Sequence, residues 1–146
     1  MSLLPIPGRT LAAALLAAAA AGTASASPRA AGPIVTVVRH GGLCASGSEC
    51  RTVLRIDDRR VSGEGYESRR LAPGERSALL RAIAGLDLAY LRRHPFRGTC
   101  PTAYDGSESV YRFRGFPHAL PSCTYDLHAV AAVRLAERLL GSLEPA

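Results

Sequence analysis

The 146-residue chain contains no Lys, Asn, Gln or Trp, so all 18 of its strongly basic side chains are Arg. Such a skew fits the codon bias of a GC-rich bacterium, and richness in Arg by itself does not point to a ligand. No Gly-x-Ser-x-Gly elbow occurs, which excludes the strand-turn-helix serine nucleophile of the α/β-hydrolases. Arg pairs occur at Arg59-Arg60, Arg69-Arg70 and Arg92-Arg93, with acids near the first two and no interleaved aromatics. Nucleic-acid binding is therefore not expected. His94, His118 and His128 lack metal-ligand spacing and read as surface or capping residues. No metal or cofactor is expected.

What is present begins with a targeting segment. Met1 to Arg9 carries a single Arg, Leu11 to Gly22 is apolar, and Ala24-Ser25-Ala26 fits a small-residue cleavage site. The apolar run falls short of the roughly 20 residues needed to span a bilayer, and no Cys follows the small residues to accept a lipid. We expect a signal peptide over 1–26, a tether over 27–32 and a single domain over 33–143, secreted and monomeric. Losing the first 26 of 146 residues leaves 120, with 17 Arg against 12 acids and a net charge of +5. A basic exported domain is attracted to an acidic protein or an anionic cell-wall polymer.

Four cysteines, Cys44, Cys50, Cys100 and Cys123, in an exported chain of this size read as two disulfides. Three pairings are possible; Cys44 and Cys50 can close a short loop around Gly47, which leaves Cys100 with Cys123. A four-Cys zinc site is the rival, but neither pair has the spacing that lets adjacent thiolates share one metal.

The hydrophobic pattern predicts an α+β domain in the order β-β-β-α-β-β-α, with helices on one face of an antiparallel sheet. Pro33 to Arg39, Thr52 to Ile56, and a stretch from Val61 through Tyr66 read as strands whose short links make an antiparallel meander. Pro73-Gly74 opens a helix with Leu79, Leu80, Ile83 and Leu86 on its core face, and Asp87 caps a further turn that Pro95 stops. Ser109 to Arg114 alternates as a half-buried strand, Ser122 to Tyr125 pairs back as the last one, and Asp126 caps a C-terminal helix ended by Gly141. On that helix Val130, Val133, Leu135 and Leu139 are the buried candidates, and Arg134, Glu137 and Arg138 the wet side.

Two stretches could carry function. Arg39-His40-Gly41 at a strand end, with Ser77 to Ala82 (SALLRA) and His118, matches fragments of the histidine phosphatases. That chemistry needs a phosphate pocket at the carboxyl edge of a parallel sheet. The chain instead turns back after His40, so the glycines that end the strand are its informative residues. The second stretch, Thr99 to Gly106 (TCPTAYDG), is a stapled loop whose ordering cost is met before a partner arrives. Asp105 and Glu108 flank an Asp-Gly turn that reads as a hairpin turn in preference to a calcium site.

The order of elements resembles the emfourin family, small inhibitors of the thermolysin-like protease protealysin, with actinobacterial relatives. The resemblance rests on Arg39-His40-Gly41-Gly42 ending a strand, the Leu79 to Leu86 helix, the strand through Tyr111-Arg112-Phe113, and the Leu135 to Leu140 helix, over roughly 33–141. It implies a domain that binds an extracellular metalloprotease and does not transform a substrate. The candidate binding residues are Arg39, His40, Gly41, Gly42, Pro101, Thr102, Tyr104 and Asp105, with no catalytic residue. Thiol titration of the denatured mature protein should find no free thiol; four would contradict the paired-cysteine reading.

Overall fold

A computed structural model of the chain describes residues 32–42 and 50–146. The expected signal peptide, most of the tether, and Cys44 with its expected bridge to Cys50 lie outside the described residues. Among the described residues, ten short elements follow one another: β1 (Val35–Gly41), β2 (Arg51–Ile56), β3 (Arg60–Gly63), β4 (Tyr66–Arg70), α1 (Pro73–Ala84), α2 (Leu88–Arg93), a 3-10 turn (Pro101–Tyr104), β5 (Ser107–Phe113), β6 (Leu120–Pro121) and α3 (Ala131–Leu140). The strands make one six-stranded sheet in the order β4-β3-β2-β1-β5-β6, and each pairing is antiparallel.

The α+β class and the antiparallel meander stand, but the expected order of elements is corrected in three places. The third expected strand is two, β3 and β4, joined by a turn at Glu64 and Gly65. Gly65 has φ +76, which favours a turn there over continued extension. β6 is Leu120–Pro121, so Cys123 lies past the strand expected to carry it. Finally, α3 begins at Ala131, because the Asp126 carboxylate accepts from the His128 amide at 3.2 Å and caps a turn one step earlier.

Strand register builds the core. Val35 stands opposite Ile56 and Phe113, and Val37 opposite Leu54 and Tyr111, so these side chains share one face. All six are buried, and Leu79 and Ile83 of α1 with Val133, Ala136 and Leu140 of α3 close over them. Each Val, Leu, Ile or Phe among them contributes about 1.5–3 kcal/mol on burial, which is what holds two short helices on a sheet. α1 packs on α3, and α3 on β2 and β3. The opposite face carries Thr36, Val38 and His40 of β1 with Arg51, Arg55, Glu108 and Arg112 alongside. No helix among the described residues is long and apolar enough to cross a membrane.

Polar contacts fasten the margins of this core. Glu75 in the first turn of α1 accepts from the Ala72 amide at 2.9 Å and from both terminal nitrogens of Arg69 at 3.0 and 3.2 Å. At the far end of the sheet, Asp58 accepts from Arg76 of α1 at 2.7 and 2.9 Å and from Arg114, just after β5, at 2.8 and 2.9 Å. The two guanidiniums hold the Asp58 carboxyl well below the usual carboxylate range, through hydrogen bonds first and charge second. Because the folded pKa lies below the unfolded value near 4, the contribution is complete above about pH 4 and is lost as pH falls further. Solvent reaches this cluster, so Asp58→Asn should cost only about 1–2 kcal/mol at pH 7. In urea unfolding, the gap between wild type and variant should shrink below pH 4; a gap independent of pH would contradict the clamp.

Candidate functional site

The backbone of β1 runs out at Gly41 and Gly42, which adopt φ +100 and +90. A side chain is strained at either angle. At Gly41 a Cβ would also lie 2.8 Å from the Gly106 carbonyl oxygen and 2.9 Å from the Thr102 methyl carbon. The glycines thus do more than end a strand, because their bareness lets the 3-10 turn settle against the strand end. The expectation that they, and not His40, are the informative residues of the Arg-His-Gly-Gly stretch has a steric basis.

The 3-10 turn is fixed from both sides. Pro101 pre-sets its first φ, and the Ala103 amide donates to the Cys100 carbonyl at 3.0 Å. The Gly106 amide donates back to the Pro101 carbonyl at 2.8 Å, with Asp105 in the left-handed region at φ 58. Asp105 therefore ends a 3-10 turn, and β5 that follows pairs with β1. The hairpin expected at Asp105-Gly106 is not formed, because the turn chemistry of Asp-Gly serves a helical C-cap equally well. Cys100 and Cys123 are disulfide-bonded across 23 residues with Cα atoms 5.3 Å apart. A crosslink over that length removes unfolded-state entropy worth about 3 kcal/mol. Tyr104, at the apex, is 77% exposed.

Two side-chain clusters tie this end together. On the open face, His40 Nε2 lies 3.3 Å from the Glu108 carboxylate, which also accepts from the Cys123 amide at 3.3 Å. On the helix face, Arg39 donates to one oxygen of Glu137 at 2.6 Å and the Tyr111 hydroxyl to the other at 2.7 Å. Burial, and next the bond to Glu137, push the Tyr111 phenol well above its ordinary pKa, so it remains a donor at physiological pH. Glu137, assigned by periodicity to the wet side of α3, is instead the acceptor that joins three elements, and Leu135 is only half-buried. The available signal was the pairing of an inward Arg with an inward Tyr on strands expected to be apolar on that face. Next to it, a cleft of about 560 Å3 is lined by Phe96, Pro101, Tyr125, Leu127 and Val133, with Tyr111 and Glu137 in its wall.

The structure therefore gathers Arg39, His40, Gly41, Gly42, Pro101, Thr102, Tyr104 and Asp105 at one end of the sheet. His118 is not among them. It follows β5 beyond Phe113, the residue opposite Val35, whereas His40 stands opposite Glu108 at the other end of the same strand pair. The sheet is antiparallel, and the two histidines do not meet in a pocket. Cys100, Glu108 and Cys123 place ligand-type atoms within 4.8 Å of one another, but both sulfurs are consumed in the disulfide and hold no charge for a metal. Comparison with known proteins finds no matching family model, no similar curated protein and no similar solved structure.

The Arg39–Glu137–Tyr111 triad generates a direct test. Tyr111→Phe and Glu137→Ala should each lower stability by about 0.5–1.5 kcal/mol, and the double variant by clearly less than their sum. Urea unfolding of all four proteins measures this; strict additivity would show that the contacts act independently.

Proposed function

We propose that this domain is a secreted binding protein that inhibits an extracellular thermolysin-like metalloprotease with the tip formed by the end of β1 and the 3-10 turn. One observation supports the reading above the others. Tyr104 stands exposed on a turn that Pro101, the Gly106-to-Pro101 hydrogen bond and the Cys100–Cys123 disulfide hold rigid. An amphipathic aromatic on a pre-ordered turn suits a binding anchor, since little conformational freedom remains to be lost on association. Peptide bonds are cleaved in extended conformation, and a 3-10 turn anchored at Cys100 by a disulfide to Cys123 resists that extension. Such a tip can occupy a protease cleft without being processed as substrate.

The likeness to the emfourin family supports the choice of partner class. Its four stretches fall on the C-terminal end of β1, α1, β5 and α3, so they bear on one connected unit. The expected export signal places such an inhibitor where secreted proteases act. Catalysis by His40 has weaker support, because the group beside it is Glu108 and His118 lies beyond the other end of the β1–β5 pair.

The mature protein should inhibit thermolysin-like enzymes stoichiometrically and survive prolonged incubation with them. Tyr104→Ala should weaken inhibition by about tenfold or more, and replacing Cys100 and Cys123 by Ser should convert the tip into a cleavable segment. Absence of inhibition together with digestion at ordinary rates would contradict the reading.

A further inference from the structure

At the opposite end of the sheet from the tip, the turn into β3 and the end of β4 form a second cleft, of about 790 Å3. Its lining includes Arg59, Arg60, Arg69, Arg70 and Arg76, with Asp58 as its one acid. Two arginine pairs separated in sequence meet there because β3 and β4 are antiparallel and Arg60 stands directly opposite Arg70. The Leu71 amide donates to the Arg59 carbonyl at 2.8 Å and extends that register, and the Asp57 amide donates to the Arg60 carbonyl at 2.8 Å and closes the turn between β2 and β3.

The charges are unequally satisfied. Arg76 is paired with Asp58 and Arg69 with Glu75. Among the described residues, Arg59, Arg60 and Arg70 have no acidic partner, and all three are exposed. Like charges directly opposite on neighbouring strands destabilise a sheet. Edge strands are protected from unwanted pairing by charge or by cover, and here the C-terminal tail already covers part of β4 through the Tyr66–Pro145 bridge and the bond from the Glu67 amide to the Glu144 carbonyl at 2.9 Å. Edge protection therefore does not account for three unpaired guanidiniums around one cleft.

We propose that this cleft binds a multivalent oxyanion, a phosphate-bearing chain without bases. Guanidinium forks match phosphate oxygens two at a time, and a single carboxylate would leave most of the local charge unbalanced. The lining includes no aromatic side chain, so the stacking platform on which single-stranded nucleic acid depends is missing. The site is separate from the tip and stands or falls independently of protease inhibition.

Inorganic tripolyphosphate is the probe, titrated calorimetrically into the full mature protein at low and high salt. Binding is expected at low salt and should weaken as salt rises. Arg60→Gln combined with Arg70→Gln should reduce affinity at least tenfold. Arg112→Gln combined with Arg138→Gln, which removes the same charge from exposed positions outside the cleft, should change it less than twofold. Without ligand, the Arg60/Arg70 variant should melt no lower than wild type, since a standing repulsion is removed. No binding at millimolar tripolyphosphate in low salt would overturn the proposal, as would equal losses in the two double variants. A lower melting point for the unliganded Arg60/Arg70 variant would count against it, and so would tighter binding of a single-stranded oligonucleotide than of tripolyphosphate.

Discussion

β1 is hydrogen-bonded along both edges, to β2 on one side and β5 on the other, and that double pairing positions the rest of the molecule. The strands before the helices hang from one edge and those after them from the other. One register fixes both: Val35 and Val37 point into the core with their partners on each side, so a slip by one residue would turn every core side chain of β1 to solvent. The same register carries Arg39 toward α3 and His40 toward the open face, because faces alternate along a strand. Glu137 then ties α3 to β1 and β5 through Arg39 and Tyr111.

Much of this was legible from residue pattern. The β-branched run of β1, the Pro73-Gly74 opening of α1, the Asp87 cap of α2 and the Gly141 end of α3 all rest on local chemistry, and local chemistry is what sequence displays. β4 was missed because Tyr66 to Arg70 is a polar edge strand, half-buried at most, with no alternation to read. β6 was misplaced because it is two residues long and exists only through its pairing with Val110 and Tyr111. Arg39 to Gly42 stand out as an Arg-His-Gly-Gly strand end and Pro101 to Asp105 as a stapled loop, and in the fold Gly41 lies against Gly106 and Thr102. Glu137 was not named with them, since a carboxylate on an amphipathic helix reads as solvent-facing until the strand partners beneath it are known.

The two ends of the sheet differ in chemistry. At the tip, polar side chains meet in close contacts, Arg39 with Glu137 and His40 with Glu108, around a rigid turn bearing an exposed aromatic. At the far end, Asp58 pairs with Arg76 and Arg114 and Glu75 with Arg69, while three other arginines face a cleft without an acid. The first arrangement suits a shape-specific protein contact, the second a charge-dominated one.

Mapping amide chemical shifts of isotopically labelled mature protein, free and mixed with an inactivated thermolysin-like protease, tests the central claim most directly. The account predicts perturbations concentrated at residues 39–42 and 100–109, with Arg60 and Arg70 unaffected. Perturbations centred on β3 and β4, or none at a protease concentration that should saturate binding, would contradict it.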